Sequence, residues 1–283
     1  EFSESDLESG DKSLVRATDS SPYSEQQLIR YLTSGLLEAG LPKSSFDPII
    51  SRYINLDNAM AIKGSYTLEP RSGLLSQIAK TLRYSFVYNG WVNKIGLRNP
   101  GIDYAIKNYK KGDHIVSIAI LNEKEIPKIL EKIPENMDIE LNVSCPNAEK
   151  SMCNIGLNQF INPKRDWCIL KLSPRTKPYM VDNYYKQGFR QFHCSNTVPV
   201  KQGGLSGKKI IPYNNILIKY IRTNYKDVDI IGGGGITTIE DVYKYMGYGA
   251  NHYSASTVFF CPYMATKLYF NYKKFNKKFN KKI

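Results

Sequence analysis

Several short apolar runs of this sequence end on a residue that can do chemistry. They close on Lys63 in Ala-Ile-Lys, Cys145 in Asn-Val-Ser-Cys, Lys171 in Cys-Ile-Leu-Lys and Asn196 in Gln-Phe-His-Cys-Ser-Asn. A barrel of parallel strands gathers the carboxyl ends of its strands around one mouth, and the catalytic groups of such barrels lie there. We therefore expect these residues to meet at one site.

Cys145 is the candidate base or nucleophile. It follows a predicted strand and is flanked by amide and hydroxyl side chains and by Pro146, which predicts that it faces a pocket. A thiol works in either role once its surroundings bring its pKa of about 8.5 toward the working pH. The other cysteines, Cys153, Cys168, Cys194 and Cys261, are interpreted as small buried hydrophobic residues.

Asparagines and lysines form a second candidate set at the predicted strand ends. The asparagines are Asn93, Asn99, Asn142, Asn147 and Asn196, and the lysines are Lys63 and Lys171. An amide offers donors and an acceptor without charge, which suits a planar ring with alternating C=O and N–H groups. Each lysine is predicted to point into the mouth, where its desolvation requires an anion, a carbonyl or a reduced cofactor as partner. A lysine whose ammonium reaches water is the alternative for either one.

Glycine-rich segments follow the last predicted strands. They are Gly203–Gly207, Gly232–Gly235 and, with small hydroxyl residues in place of glycine, Ser254–Thr257. Loops after strands seven and eight form the common phosphate site of (β/α)8 barrels, because bare N–H groups close around the phosphate oxygens. No Rossmann fingerprint and no P-loop motif occurs in the sequence.

The elements that must position these residues alternate as βα units, which predicts a (β/α)8 barrel. The predicted strands are Ile29–Thr33, Ala59–Gly64, Ile115–Ile120, Ile139–Ser144, Cys168–Leu172, Phe192–Asn196, Val228–Ile231 and His252–Ser256. The predicted helices are Ser44–Tyr53, Glu123–Lys132, Lys177–Gln187, Ile211–Asn224 and Ile239–Gly247. The segment 69–99 breaks the alternation and reads as an excursion above the mouth.

Composition divides the 283 residues into three parts. Residues 1–22 predict a flexible acidic arm, residues 23–266 the barrel, and residues 267–283 a basic helix or tail. The net charge of +13 is scattered except in this tail, which we interpret as a solvated last helix with the stripe Phe275, Phe279 and Ile283, or alternatively as an anchor for an acidic partner or membrane surface. No specific nucleic-acid motif is present.

The cysteine pattern and the hydropathy of the sequence indicate the kind of compartment in which the protein works. The five cysteines show no zinc-binding spacing, so no metal is expected, and free thiols predict the cytoplasm or another reducing compartment. No run approaches the roughly 20 apolar residues of a membrane span. No targeting segment is visible in the sequence.

Eight motifs in order give the sequence a resemblance to the dihydroorotate dehydrogenase family of flavin barrels. They are Thr33-Ser-Gly35, Ile62-Lys63 with Thr67-Leu-Glu-Pro-Arg71, Asn93–Gly101, Leu141–Asn147, Lys171-Leu-Ser-Pro174, Ser195-Asn-Thr197, Gly203–Gly207 and Gly233–Ile236. The cysteine of the Asn-x-Ser-Cys-Pro-Asn motif marks the soluble class of this family. Two features depart from the family pattern: Ser256 stands where many members have glycine, and the loop after Cys145 lacks the expected Pro-Gly.

The resemblance implies oxidation of dihydroorotate to orotate in pyrimidine synthesis, with bound FMN. The implied FMN contacts are Ser34, Gly35, Lys63, Asn142 and Lys171 at the isoalloxazine and Gly203, Gly204, Gly234, Gly235 and Thr257 at the phosphate. The implied substrate contacts are Lys63, Asn93, Ile95, Gly96, Leu97, Asn147 and Asn196. Cys145 would remove a proton, a hydride would pass to the flavin, and Lys63 would stabilise negative charge.

Other readings remain open. The resemblance also implies a homodimer with fumarate as electron acceptor, whereas a nicotinamide-linked member would need an iron–sulfur partner. The off-pattern loop and the two termini motivate a barrel that has lost turnover and serves as a structural or assembly protein. A third reading is a flavin enzyme for another uracil-like ring.

Overall fold

The computed structural model describes residues 60–143, 156–194 and 196–279. Seven parallel strands form its main sheet, in the order β1-β4-β5-β6-β7-β10-β11. Their bounds are β1 Ala61–Tyr66, β4 His114–Ala119, β5 Ile139–Asn142, β6 Cys168–Leu172, β7 Gln191–Cys194, β10 Asp229–Gly233 and β11 His252–Ser254. These confirm seven of the predicted strands, and the predicted strand Ile29–Thr33 lies outside the described residues.

Helices alternate with these strands along the chain. They are α1 Leu74–Thr81, α2 Ile102–Lys107, α3 Glu125–Lys132, α4 Pro178–Lys186, α5 Ile211–Asn224, α6 Ile239–Gly247 and α7 Pro262–Phe279. Helices α5 and α6 have the predicted bounds, and α3 and α4 are each two residues shorter than predicted. Two helices, α1 and α2, were not predicted, and the predicted helix Ser44–Tyr53 lies outside the described residues.

The segment 69–99 is an excursion from the barrel, as predicted. It contains α1 and the strands β2 Arg83–Ser85 and β3 Gly90–Asn93, and α2 then provides the crossover to β4. Strands β8 Val198–Val200 and β9 Gly203–Ser206 join β2 and β3 in an antiparallel sheet of order β2-β3-β9-β8. The excursion therefore pairs with the chain that follows β7, a pairing that sequence periodicity does not reveal.

An apolar cluster shows how the parallel sheet curls. Its members are Met60, Ile62, Ile115, Trp167, Ile169 and Ile231, all nearly inaccessible to solvent. They belong to β1, β4, β6 and β10 or directly precede them, and strands that are not neighbours in a sheet make such contacts only across its concave face. This cluster fills the barrel interior toward the amino ends of the strands, as layered side chains do in this fold. The outer face of the sheet packs on the helices through a second, larger core.

The last helix, α7, crosses the predicted boundary at residue 266. Its buried residues Ala265, Leu268 and Tyr272 recur at helical spacing, and this stripe anchors its first half to the protein. The predicted stripe at Phe275, Phe279 and Ile283 involves side chains outside those that the structure describes. No helix among the described residues is long and apolar enough to cross a membrane.

The cysteine predictions had mixed outcomes. Cys194 is buried and Cys168 is half-buried, and burial raises the pKa of the Cys168 thiol to about 12. Cys261, however, is exposed between the last 3-10 turn and α7, so its prediction as a buried hydrophobic residue is wrong. Cys145 and Cys153 lie outside the described residues.

Asn99 is a structural residue of the excursion. Its Oδ1 accepts hydrogen bonds from the backbone N–H groups of Thr67, at 3.1 Å, and Gly101, at 2.8 Å. Its Nδ2 donates to Thr67 Oγ1, at 2.9 Å, and to the Leu97 carbonyl, at 2.7 Å. One buried amide therefore joins the two ends of the excursion, which corrects the interpretation of Asn99 as a ring-binding amide.

We expect Asn99→Ala to lower the free energy of unfolding by on the order of 3 kcal/mol, because it leaves two buried N–H groups without acceptors. Urea denaturation measures the loss. The matched control is Asn108→Ala, since Asn108 is exposed and makes one local bond to the Tyr104 carbonyl. Equal stability of the two variants would contradict the structural role of Asn99.

Candidate active site

The carboxyl ends of β5 and β6 place Asn142 and Lys171 inside the barrel. Side chains alternate between the two faces of a strand, and Lys171 lies two residues beyond Ile169 of the interior cluster. Asn142 lies two residues beyond Glu140, and the register pairs Asn142 with Lys171. The lysine side chain is almost fully buried, at 10% exposure. Both predictions of position are consistent with this geometry.

A chain of polar side chains crosses the mouth between β7 and β1. Asn196 Nδ2 donates to Asn142 Oδ1 at 3.3 Å, and Asn142 Nδ2 donates to Ser65 Oγ at 2.9 Å. Ser65 Oγ in turn lies 2.9 Å from Ser117 Oγ on β4. Two asparagines predicted from the sequence therefore meet, and they are joined by two serines that were not predicted.

Lys63 does not reach this mouth. Ile62 belongs to the interior cluster, so its neighbour Lys63 faces the opposite side of β1. The Lys63 ammonium lies 3.3 Å from His114 Nδ1, at the amino end of β4. The prediction that Lys63 points into the mouth is therefore wrong. Consecutive residues of a strand face opposite sides, and here Ile62 takes the interior side.

A layer of buried charged and polar side chains, which was also not predicted, adjoins the amides. We call Glu140, Lys171 and His193 the charged cluster. Glu140 Oε1 accepts a bond from Ser117 Oγ at 2.9 Å and lies 3.4 Å from Lys171 Nζ. Glu140 Oε2 lies 2.5 Å from His193 Nδ1, and His193 Nε2 lies 2.6 Å from Ser254 Oγ.

The charged cluster keeps Glu140 ionised although its side chain is fully buried. Burial alone raises the pKa of this carboxyl, but the Lys171 ammonium, His193 and the Ser117 hydroxyl together outweigh burial and lower the pKa below its ordinary value. The sequence carries a signal for this layer: Glu140 and His193 each lie between apolar residues within a short strand, at fully buried positions.

The loop after β3 carries four predicted substrate contacts: Asn93, Ile95, Gly96 and Leu97. Asn93 Oδ1 accepts from the Ile95 N–H at 3.3 Å, and both Gly96 and Leu97 have left-handed backbone conformations. The antiparallel sheet pairs Asn93 with Gly204, and a Cβ on Gly204 would lie 2.6 Å from Thr197 Oγ1. The sheet thus connects this loop to the segment that carries Asn196.

The glycines predicted to bind phosphate fall into two separate groups. Gly234 and Gly235 follow β10 in left-handed conformations, and a Cβ on Gly235 would lie 2.6 Å from the Gly207 carbonyl. Gly203 and Gly204 lie at the opposite end of β9 from Gly207, about 10 Å away at ~3.3 Å per residue. Gly234 and Gly235 therefore lie beside Gly207, the last residue of the predicted segment Gly203–Gly207, whereas Gly203 and Gly204 pack β9 on β3 and on Thr197.

Two buried side chains hold the Gly234 turn from behind. The Tyr245 hydroxyl of α6 lies 2.6 Å from the Gly233 carbonyl and 2.7 Å from the Gly234 carbonyl. Asn214 Nδ2 of α5 donates to the Gly233 carbonyl at 2.7 Å. Because C=O and the following N–H of a trans peptide point in opposite directions, the bond to the Gly234 carbonyl turns the Gly235 N–H away from Tyr245.

The other predicted site residues are Thr257, Ser34, Gly35, Cys145 and Asn147. Thr257 begins the 3-10 turn Thr257–Phe260 after β11, and the ring of Phe260 packs on Trp91 of β3 with centroids 4.9 Å apart. This contact closes the excursion over the end of β11. Ser34, Gly35, Cys145 and Asn147 lie outside the described residues.

The arrangement suits an anionic or carbonyl-rich planar ligand carrying a phosphate. The mouth offers a buried ammonium, two carboxamides and hydroxyls, and a glycine turn follows β10, the last but one of the described parallel strands, at the position where phosphates bind in this fold. These donors fit the ring and phosphate of a flavin nucleotide. The strand order and the interior packing of the seven described parallel strands are those of a (β/α)8 barrel, a class in which such a mouth holds the active site.

Comparison with known proteins gives the family. The family model for dihydroorotate dehydrogenase matches residues 37–162 and 181–269, which is more than half of the chain. The chain belongs to the dihydroorotate dehydrogenase family and is an oxidoreductase.

Individual relatives agree with this assignment. The chain is 30% identical over 251 residues to the catalytic subunit of dihydroorotate dehydrogenase B (NAD(+)) from Alkaliphilus oremlandii, covering 76% of this chain and 81% of that protein. It is 32% identical over 204 residues to the subunit of the same name from Methanocaldococcus jannaschii, covering 58% and 65%. A crystal structure of DHODH with ferulenol from Eimeria tenella shares the fold, with a TM-score of 0.63, 16% identity and coverage of 92% and 88%.

Proposed function

We propose that this protein oxidises dihydroorotate to orotate in pyrimidine synthesis with FMN as its cofactor. The observation that carries the proposal is the row Asn196–Asn142–Ser65 across the mouth, in which Asn142 is paired in the sheet with the buried Lys171. Family membership supplies the reaction, and this row supplies donors and acceptors for planar rings.

The chain's own residues divide the work of holding the cofactor. Lys171 and Asn142, with Ser34 and Gly35, would hold the isoalloxazine, and Lys171 would stabilise negative charge there. Gly234, Gly235, Gly207 and Thr257 would hold the phosphate, and a Cβ on Gly235 would lie 2.9 Å from the Lys208 Cα. When bound, FMN supplies a two-electron acceptor for the hydride that dihydroorotate loses.

Substrate binding and proton transfer fall to the loops above. Asn93, Ile95, Gly96 and Leu97 would contact the pyrimidine from the β3 loop, and Asn147 and Asn196 from the barrel. Cys145 would take the proton from the carbon next to the ring carbonyl, as a positioned general base. Fixed carboxamides would hold the two breaking C–H bonds in reactive geometry. No role in this site is proposed for Lys63, Gly203 or Gly204.

The relatives' names bear on the electron acceptor. Both named relatives are catalytic subunits of an NAD(+)-dependent enzyme, which favours NAD+ reached through a partner subunit over the expected fumarate. Phe86 and Val87 at the tip of the β2–β3 hairpin are 90% and 81% exposed, and neighbouring exposed apolar side chains commonly mark partner contacts. A homodimer and such a partner are both part of this proposal.

Anaerobic reduction tests the proposal. Purified protein reconstituted with FMN is expected to show flavin absorbance in the visible range that bleaches on addition of dihydroorotate. Uracil and dihydrouracil are the matched ligands that should leave the spectrum unchanged. Protein that binds no FMN, or a bound flavin that dihydroorotate does not reduce, would refute the proposal.

The outward position of Lys63 favours one alternative, a barrel that keeps the fold as a structural or assembly protein and has lost turnover. That protein would lack one of the ammonium groups expected at the mouth. It predicts flavin that stays oxidised in the same experiment, so one measurement separates the two functions.

Tyr245→Phe is expected to weaken FMN binding by about tenfold, because loss of one hydrogen bond of about 1.4 kcal/mol releases the Gly234 turn. Riboflavin, which has no phosphate, should bind both proteins equally. Fluorescence titration measures both affinities, and Tyr248→Phe at the exposed end of α6 is the control. An equal loss for FMN and riboflavin would contradict the link between Tyr245 and the phosphate.

A further inference from the structure

Packing of the barrel interior does not by itself explain the charged cluster. Glu140, Lys171 and His193 come from three adjacent strands, and the Glu140 side chain has no exposed surface. Replacing a buried ion pair by packed apolar side chains is often neutral or stabilising. The apolar cluster directly below shows that this barrel fills its interior with such side chains where it needs only packing. We therefore look to function, and not to packing, to explain a cluster of charges next to the mouth.

The hydrogen bonds of Glu140 hold its carboxylate in a single orientation. Ser117 Oγ donates to Oε1 at 2.9 Å, and His193 Nδ1 donates to Oε2 at 2.5 Å. Ser254 Oγ, 2.6 Å from His193 Nε2, fixes the imidazole from its other side. The carboxylate is thus held by groups from both sides of β6, and its Oε1 meets the Lys171 ammonium at 3.4 Å.

Lys171 is the link between this cluster and the mouth. Its neighbour across the ladder is Asn142, which belongs to the row of amides that spans the opening. A lysine side chain is long and has many rotamers, so an ammonium group without a fixed partner samples several positions. The carboxylate beside Lys171 restricts that freedom and also offsets part of its positive charge.

We propose that Glu140 and His193 are positioning residues that fix the Lys171 ammonium beneath the cofactor ring and thereby set how readily bound FMN accepts electrons. The inference rests on the proposed function, because it requires FMN at the mouth. Lys171 favours the negative charge of reduced flavin, Glu140 moderates that effect, and His193 keeps Glu140 in place.

The midpoint potential of bound FMN tests the inference. It is measured on the reconstituted full chain by equilibration with a reference dye at one pH. Glu140→Gln is expected to shift the potential in the positive direction, and Lys171→Gln in the negative direction. The double variant is expected to differ from the sum of the two single shifts, since Glu140 acts through the position of Lys171. Glu131→Gln on the exposed face of α3 is the control and should keep the wild-type potential.

A pair of His193 variants keeps the test decisive if Glu140→Gln does not fold. His193→Asn retains a short N–H donor for Glu140 and is expected to keep a potential near that of the wild type. His193→Leu removes the donor and is expected to shift the potential. A merely structural role of the cluster would lower stability in these variants without moving the potential of the folded, flavin-loaded protein.

The two proposals fail in distinguishable ways. Wild-type protein that binds no FMN overturns the proposed function and this inference with it. Wild-type protein that binds FMN, with Glu140→Gln and His193→Leu at the wild-type potential, overturns the inference alone. A Glu140→Gln shift of the same size with and without Lys171 also overturns it, because Glu140 would then act as an independent charge.

Discussion

Cys145→Ala is expected to slow the reduction of bound FMN by dihydroorotate by about 10²–10⁴-fold, the usual contribution of a positioned general base. The reason is that hydride loss from one carbon needs proton loss from its neighbour, and alanine cannot accept a proton. Anaerobic stopped-flow absorbance measures the reduction step directly. FMN binding should be unchanged, since the cofactor contacts proposed above do not include Cys145.

Cys261→Ala is the matched control for this experiment. Cys261 is a free, exposed thiol after the last 3-10 turn and is expected to have no effect on the reduction rate. Reduction of the Cys145→Ala protein at the wild-type rate would remove the thiol from the mechanism, even if the flavin and the substrate are assigned correctly.

Glu140→Ala is expected to lower the free energy of unfolding by about 3–5 kcal/mol, because it removes the buried carboxylate that pairs with the Lys171 ammonium and accepts from His193. Denaturant unfolding followed by circular dichroism measures the loss. The control is Glu131→Ala on the exposed face of α3, which should change stability by no more than about 0.5 kcal/mol. A loss of that small size at Glu140 would show that water or a rearranged neighbour replaces the carboxylate.

The pH dependence of the free energy of unfolding should also report on Glu140. The pKa of Glu140 is lower in the folded protein than its ordinary value of 4.5, so the folded state binds its proton less readily than the unfolded state. The stability that this difference contributes is complete above the unfolded-state pKa and is lost as the pH falls through the folded-state pKa. The stability gap between wild type and Glu140→Gln should therefore narrow as the pH falls below about 4.5, and a gap that widens there would contradict an ionised Glu140.

The two lysines show what the sequence determines about the site. Both follow apolar runs at strand ends, and the runs correctly predict β1 and β6. Ile62 and Ile169 both enter the interior cluster, but Lys171 follows Ile169 by two residues whereas Lys63 follows Ile62 by one. A one-residue difference moves a side chain to the other face of a strand. An apolar run therefore predicts where a strand lies. It does not predict on which face of the strand a given side chain lies, because that depends on which residue of the run packs in the barrel interior.

Long-range partners account for the other omissions. Glu140 is visible in the sequence as a charge within a buried strand, but its partner His193 lies 53 positions away. The row from Asn196 to Asn142 likewise joins residues 54 positions apart. The pairing of β3 with β9 depends on the way the chain after β7 returns over the barrel. Periodicity describes neighbours within a turn or a strand, and these contacts exist only once the barrel has closed.

The positions of the two tryptophans give this protein a pair of optical reporters. The sequence contains only Trp91 and Trp167. Trp91 packs at a tilt on Phe260, which follows the carboxyl end of β11, whereas Trp167 lies in the apolar cluster at the amino end of β6. In a Trp167→Phe protein the fluorescence comes from Trp91 and reports ligand binding near the mouth of the barrel. In a Trp91→Phe protein it comes from Trp167 and reports unfolding of the interior apolar cluster. Ligand binding and unfolding can therefore be followed separately without an added dye.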